Sequence, residues 1–219
     1  MNRNTQSLVL VFIAVVLTVL CPGCRLVTVV PLDTESKTQF YYEDSNFDPE
    51  KYAAEVWEQI VQFSKENAAP LSDVLALYSS APDACGQKYG RRPAEQGSTW
   101  NYIVSGKGRV LAVNRASKNG LLEIDLEPYD GAADCLIQIG PVLKGTAIRD
   151  AMPFISFADF RNQLTFGDVA KAINSYSGDN VSAKLPLDTL AGQTVDFLGV
   201  FTQGDTIALM PVELSAYKE

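Results

Sequence analysis

The spacing of apolar residues along the chain changes at Thr99. Before it, Ala53, Val56, Trp57, Ile60 and Phe63 recur three and four apart, which predicts a helix with one buried face. That helix opens at Asp48-Pro49, an N-cap residue followed by proline, and stops before Pro70. A second short helix is predicted with Ser72 as its cap, Val74, Leu75 and Tyr78 facing inward, and Pro82 beyond its end. Gly86 to Pro93 reads as a loop from its glycine and proline content.

From Thr99 the period is two. Trp100, Tyr102 and Val104 alternate with polar residues, Gly106 and Gly108 allow a bulge or sharp coil, and Val110 to Val113 continues the strand. Asn119-Gly120 signals a hairpin turn, after which Leu122, Ile124 and Leu126 alternate. A loop through Pro128 and Gly131 leads to a third strand, Cys135 to Ile139. An irregular connection, Gly140 to Pro153, then leads to two helical pieces begun by Ser156-x-x-Asp159 and Thr165-x-x-Asp168, both of capping-box form. Phe166, Val169, Ala170 and Ile173 give the second piece an apolar face, with a stop expected at Gly178. The rest, from Leu190 to Ser215, reads as a closing hairpin turning at Gln203-Gly-Asp205, with Pro211 at an edge or bulge.

Three strands, a helical crossover and two more strands predict a mainly β, α+β fold. Its expected form is an OB-fold-like five-stranded Greek-key barrel, with the helical crossover between strands 3 and 4 and two N-terminal helices. A generic α+β sheet is the competing reading. The stretch from Asp134 to Asn162, which carries the third strand, the irregular connection and the helix start, is the hub of this arrangement.

The N-terminus adds a destination. Arg3 and a polar stretch precede the apolar run Leu8 to Leu20, too short for the roughly 20 residues of a spanning helix. Cys21-Pro-Gly-Cys24 follows and has the look of a bacterial lipobox. Cys24 is the expected lipid-attachment residue because small Gly23 precedes it, whereas Cys21 follows bulky Leu20. An uncleaved anchor and plain secretion are the alternatives. The chain thus divides into a signal peptide (1–23), a tether (24–46), a helical segment (47–98) and the barrel (99–219).

Composition narrows the chemistry. The net charge of −8 argues against a nucleic-acid partner, and loss of Arg3 with the signal makes it −9. The chain has no histidine, which removes the usual general base, the commonest metal ligand and every Ser-His or Cys-His nucleophile. No metal site and no cofactor is expected. Cys85 and Cys135 are a candidate disulfide in an oxidising compartment, or two unrelated buried thiols.

Two groups of polar residues are candidates for binding. Lys88, Tyr89, Arg91 and Arg92 hold the densest positive charge and read either as an anion loop or as a solvated loop pairing with surplus acids. Lys144, Thr146, Arg149, Asp150, Asp159, Arg161 and Asn162 surround apolar Ile148, Met152 and Phe154, as in a pocket for a polar solute such as a sugar. The other reading, the favoured one, is that Arg149 and Asp150 fasten an irregular loop to the barrel. An enzyme using Asp150 and Asp159 as acid and base requires both carboxyls to face one cleft, about 5 to 9.5 Å apart.

Lys88-Tyr-Gly-Arg-Arg92, Gln138-Ile-Gly-Pro-Val142, Lys144-Gly-Thr-Ala-Ile-Arg-Asp150 and Pro153 to Gln163 resemble the domain-of-unknown-function 2291 family of periplasmic lipoproteins. The resemblance runs from about Cys24 to the C-terminus. It implies an exported, lipid-anchored protein, often encoded beside sugar ABC-transporter components, and implies no established activity. The expected partners are therefore the membrane, through the anchor, and a small polar solute or an envelope transporter protein. The chain departs from the family in its irregular lipobox and in Cys85 and Cys135.

Overall fold

A computed structural model describes residues 47–93, 98–160 and 162–217. The signal peptide, the tether, Cys24 and Arg161 lie outside the described residues. Asp48 caps helix α1 (Pro49–Asn67), its Oδ1 accepting the N–H groups of Glu50 and Lys51 at 3.0 and 3.1 Å. A two-residue strand β1 (Ala69–Pro70) follows and pairs in parallel with Val104-Ser105 of the later strand β3 (Asn101–Asn114).

Helix α2 (Leu71–Tyr78) has Pro70 at its N-cap position, two residues before the cap expected at Ser72, with no side-chain cap. The short strand already holds the chain there, so a capping side chain is not needed to fix the start. A third N-terminal helix, α3 (Pro82–Tyr89), replaces the loop expected from Gly86, and Gly90–Arg91 forms β2. Gly86 has a packing reason to be glycine. The Trp100 ring lies where its Cβ would be.

The strands β3, β4 (Leu121–Asp125), β5 (Cys135–Gln138), β6 (Thr194–Thr202) and β7 (Ala208–Ala216) close a barrel in the order β3-β4-β5-β7-β6-β3. All pairings in the ring are antiparallel except β5 with β7. This is the expected OB topology. The 14-residue β3 pairs with β6 along Asn101 to Arg109 and with β4 from Arg109 to Asn114, so one strand serves both neighbours by coiling. An irregularity between Val110 and Ala112 turns Val113 inward.

The expected break at Pro211 is present. Leu198 pairs with Glu213 but Gly199 pairs with Pro211, which leaves Val212 as the extra residue of a bulge. The bulge shifts the alternation: Leu209 and Leu214 point into the barrel, whereas Met210 and Val212 point out.

Two cores result. The barrel interior holds Tyr102, Val104, Leu122, Ile124, Ile137, Phe197 and Phe201, and α2 and α3 add Leu71, Val74 and Cys85 at one mouth. The second core lies outside the barrel, where Ile103, Leu198, Val200, Met210 and Val212 meet α1, α4 (Ala147–Ala151) and α5 (Gln163–Asn180). The helical segment therefore belongs to the same cores as the barrel.

The crossover differs in two details from its sequence reading. Asn162, not Thr165, caps α5, its Oδ1 accepting the Thr165 N–H at 2.7 Å. The helix also passes through Gly178 and ends at Asn180, because Gly178 sits within the helix against the Gly140 carbonyl.

Candidate functional site

Two of the expected solute ligands make one compact network with Arg149. Its Nε and Nη2 both donate to Asp150 Oδ1, at 2.8 and 2.6 Å, and Nη1 donates to the Phe166 carbonyl at 2.8 Å. Asp150 Oδ2 accepts the Thr146 hydroxyl, and the guanidinium lies 3.6 Å from the Phe166 ring centroid. The side chains of Arg149 and Asp150 are only 11% and 18% exposed. Every guanidinium nitrogen is thus engaged, two within α4 and Nη1, with the ring contact, in joining α4 to α5.

The same stretch is fastened from other sides. The Gln138 side chain donates to the Lys144 carbonyl at 3.1 Å and accepts its N–H at 2.7 Å. Asn174 on α5 donates to the Gly145 carbonyl at 2.8 Å, and Ser177 donates to the carbonyl of Pro211 at the bulge. Backbone groups of an irregular buried loop must find partners, and these side chains supply them.

Asp159 and Asn162 are also engaged locally. Asp159 closes the capping box of the single turn Phe157–Asp159 by accepting the Ser156 N–H at 2.9 Å, and Asn162 caps α5. Asp150 is thus taken up by Arg149 and Thr146, and Asp159 by its own capping box.

The cations of the expected anion loop stack on separate rings. Lys88 lies 4.7 Å from the Tyr89 centroid, Arg91 4.8 Å from that of Phe63 and Arg92 4.1 Å from that of Trp100. Arg91 also donates to Asn67 Oδ1.

The candidate disulfide is not formed: Cys85 and Cys135 are free, buried thiols. Cys85, on α3, directs its S–H to the Val74 carbonyl at 3.7 Å, whereas Cys135 opens β5 opposite Ile124. Burial, with the Asp134 charge adding, pushes the Cys135 thiol up to about 12. Burial likewise raises Cys85, Tyr102 and Tyr52.

For each of these four groups the fold favours the protonated form. The stability this confers is complete below the unfolded value, 9.0 for Cys135, and is lost as pH rises toward about 12. Unfolding free energy is therefore expected to be level between about pH 6 and 8, where no histidine titrates, and to fall above about pH 9 by up to about 1.4 kcal/mol per pH unit per thiol. Urea melts across this range test the expectation. A thiol reagent should detect both cysteines of the domain only after unfolding, and fast labelling of the native protein would contradict the burial argument.

An open polar cleft of about 470 Å³ lies elsewhere, lined by Lys65, Ala68, Ser105, Asp196, Glu213 and Ser215 among others. Its origin is the limit of helical cover. The helices bury the outward row at Ile103, Leu198, Val200, Met210 and Val212, but the next row, Lys107, Asp196 and Ser215, paired across β3, β6 and β7, stays open. Tyr217 continues this row, its N–H donating to the Thr194 carbonyl at 2.8 Å. Its ring is 44% exposed, with the Lys107 ammonium 3.2 Å from the centroid.

At the cleft edge Lys65 and Glu213 pair at 2.7 Å with both side chains about half exposed. None of these residues stood out in the sequence. The available signal was strand alternation, which places Lys107, Asp196 and Ser215 opposite the inward residues.

A second cleft, of about 370 Å³, lies beside the β3–β4 loop, lined by Arg115, Lys118, Gly140 and Leu187 among others. Arg115 there is paired with Asp188. Among the described residues, no group of three or more Cys, Asp or Glu is placed to hold a metal ion.

The profile of the family described as "Predicted periplasmic lipoprotein (DUF2291)" matches residues 14–215. A crystal structure of an OB-fold protein from Thermotoga maritima superposes with a TM-score of 0.66 at 20% identity, covering 78% of this chain and 99% of that one. At this identity the likeness speaks to the fold alone. No curated protein matches the chain significantly.

Proposed function

The chain belongs to the DUF2291 family of predicted periplasmic lipoproteins, and from that premise we propose that it is a solute-binding accessory of the cell envelope. In this reading Cys24 carries the lipid and the open row beside Lys65, Asp196 and Glu213 takes a small hydroxyl-rich solute such as a sugar. The observation that carries it is the cleft itself: carboxylates, an amine and two hydroxyls line a concave surface, and Lys107, the strand partner of Asp196, carries the exposed Tyr217 ring. Sugars are held by such polar groups together with an aromatic face.

The Lys65–Glu213 pair suits exchange. Exposed ion pairs contribute only about 0 to 1 kcal/mol, so solute hydroxyls can replace that contact at small cost. The Arg149 group, in contrast, has its donors fixed within the fold. Service to a sugar ABC transporter is the finer part of the reading, and it rests on the family resemblance rather than on geometry.

A thermal-shift series on the domain from Arg25 onward, against monosaccharides, disaccharides and polyols, tests the proposal. One sugar class should stabilise the domain, by about 2.7 kcal/mol at a hundredfold excess over its dissociation constant. Asp196→Ala and Tyr217→Ala should remove the shift, and Lys88→Ala should leave it. No shift at millimolar concentration with any member of the panel would overturn solute binding.

A further inference from the structure

We propose that the second cleft, beside the β3–β4 loop, is a binding site for a small organic carboxylate, with Arg115 and Lys118 as the side chains that hold the anion. The cleft encloses about 370 Å³, toward the small end of ligand pockets. Arg115 and Lys118 are its charged lining residues, and no acid among the described residues lines it, in a chain whose net charge is −8. Ala116, Ile139, Pro141 and Leu187 supply apolar walls. Two cations beside an apolar surface suit a carbon skeleton that carries carboxylates.

Arg115 has donors to spare. Its Nη2 donates to Asp188 Oδ1 at 2.5 Å, while its Nε and Nη1 bond no other group among the described residues. Arg149, in contrast, has every nitrogen engaged. The Asp188 contact joins the loop to the single turn Leu187–Thr189, and it shows which chemical group the guanidinium accepts there. A ligand carboxylate can take two parallel donors of the planar fork where Asp188 takes one. Both partners are mostly exposed, so exchanging this pair costs little. The Lys118 ammonium makes no ion pair among the described residues and is open to a second acidic group.

The loop that carries both cations is fixed before any ligand arrives. Asn114 Oδ1 accepts the Ala116 N–H at 3.0 Å, and the Lys118 carbonyl accepts the Val142 N–H at 3.2 Å. The Asn119 and Gly120 carbonyls accept the N–H groups of Gly140 and Ile139 at 2.7 and 3.1 Å. Binding therefore need not order the backbone, and the ordering cost falls on two side chains.

The full chain in nonionic detergent, labelled with nitrogen-15 and titrated with succinate or inorganic phosphate at constant ionic strength, provides the test. Succinate should give saturable shifts at the Arg115 Nε–H and at the Ser117 and Lys118 amides, and phosphate, which has no carbon skeleton, should bind severalfold more weakly. Arg115→Lys keeps the charge but loses the fork and should weaken succinate severalfold. Asp188→Asn should tighten it severalfold by releasing the fork. Asp205→Asn, which removes the same charge in the β6–β7 turn, should change nothing. All three substitutions fall on surface side chains, and the rest of each spectrum reports that the fold persists. No saturable shift in the millimolar range, phosphate binding as tight as succinate, or equal tightening by Asp188→Asn and Asp205→Asn would each overturn the proposal. Sugar binding beside Lys65 and Asp196 enters none of these readouts, so either idea can fail while the other stands.

Discussion

Arg149→Ala is expected to lower the unfolding free energy by about 3 to 5 kcal/mol, the usual cost of removing one partner of a buried ion pair. The substitution leaves Asp150 with only the Thr146 hydroxyl in a largely buried position and takes the Nη1 donor from the Phe166 carbonyl. Most of the cost comes from the stranded carboxylate. Arg149→Ala combined with Asp150→Ala should therefore cost less than the sum of the two single changes.

Arg149→Lys keeps the charge but not the planar set of donors, and should fall between wild type and alanine. Lys144→Ala, at an exposed side chain a few residues away, should change stability by less than about 0.5 kcal/mol. Denaturant melts of these five variants decide the matter. A loss below about 1 kcal/mol for Arg149→Ala would mean that water replaces the guanidinium, and would return these residues to the list of exposed binding groups.

Gly140→Ala should cost at least about 3 kcal/mol, at or beyond the upper end of overpacking. The added Cβ would fall on the Lys118 carbonyl oxygen and the Asn119 backbone, deep inside contact distance. Backbone atoms cannot rotate away as a side-chain tip can. The Gly140 N–H also bonds the Asn119 carbonyl at 2.7 Å, which ties the end of β5 to the β3–β4 loop, and α5 lies close to its carbonyl at Gly178. Relief by movement would have to break one of these packings.

Gly167→Ala is the contrast. It lies within α5 with open space around the added methyl, so it should stabilise by about 0.5 to 1 kcal/mol through helix propensity. Thermal or urea melts showing the two variants alike would undo the packing argument for Gly140.

Local patterns transferred well where a side chain acts on its own backbone. Asp48 and the Ser156–Asp159 box cap the turns they were expected to cap, and the alternation at Trp100 to Val104 and Leu122 to Ile124 marks strands. They transferred poorly where a distant element decides. Gly86 looked like a loop residue, yet its helix forms because Trp100, many residues later, fills the space above it. Gly178 looked like a stop, yet it is the flat place on α5 that faces the Gly140 carbonyl.

Cys85 and Cys135 were read as a candidate pair on count and compartment, whereas their placement on α3 and β5 gives each its own surroundings. The same division applies to candidate sites. Dense charge at Arg149 and Asp150 stood out in the sequence, but charge density does not distinguish groups consumed by the fold from groups left for a ligand.

By itself the sequence determined the strand order about a helical crossover, the apolar run Leu8 to Leu20 ahead of Cys24, and the lack of histidine chemistry. These follow from backbone periodicity, turn geometry and residue inventory, which are properties of neighbours along the chain. The tertiary structure alone decided that Arg149 is a fastener, that the row at Lys107, Asp196 and Ser215 stays uncovered, and that Phe157 and Leu164 remain outside the core. Those outcomes depend on how far the helices extend over the sheet, and that depends on packing between residues remote in sequence.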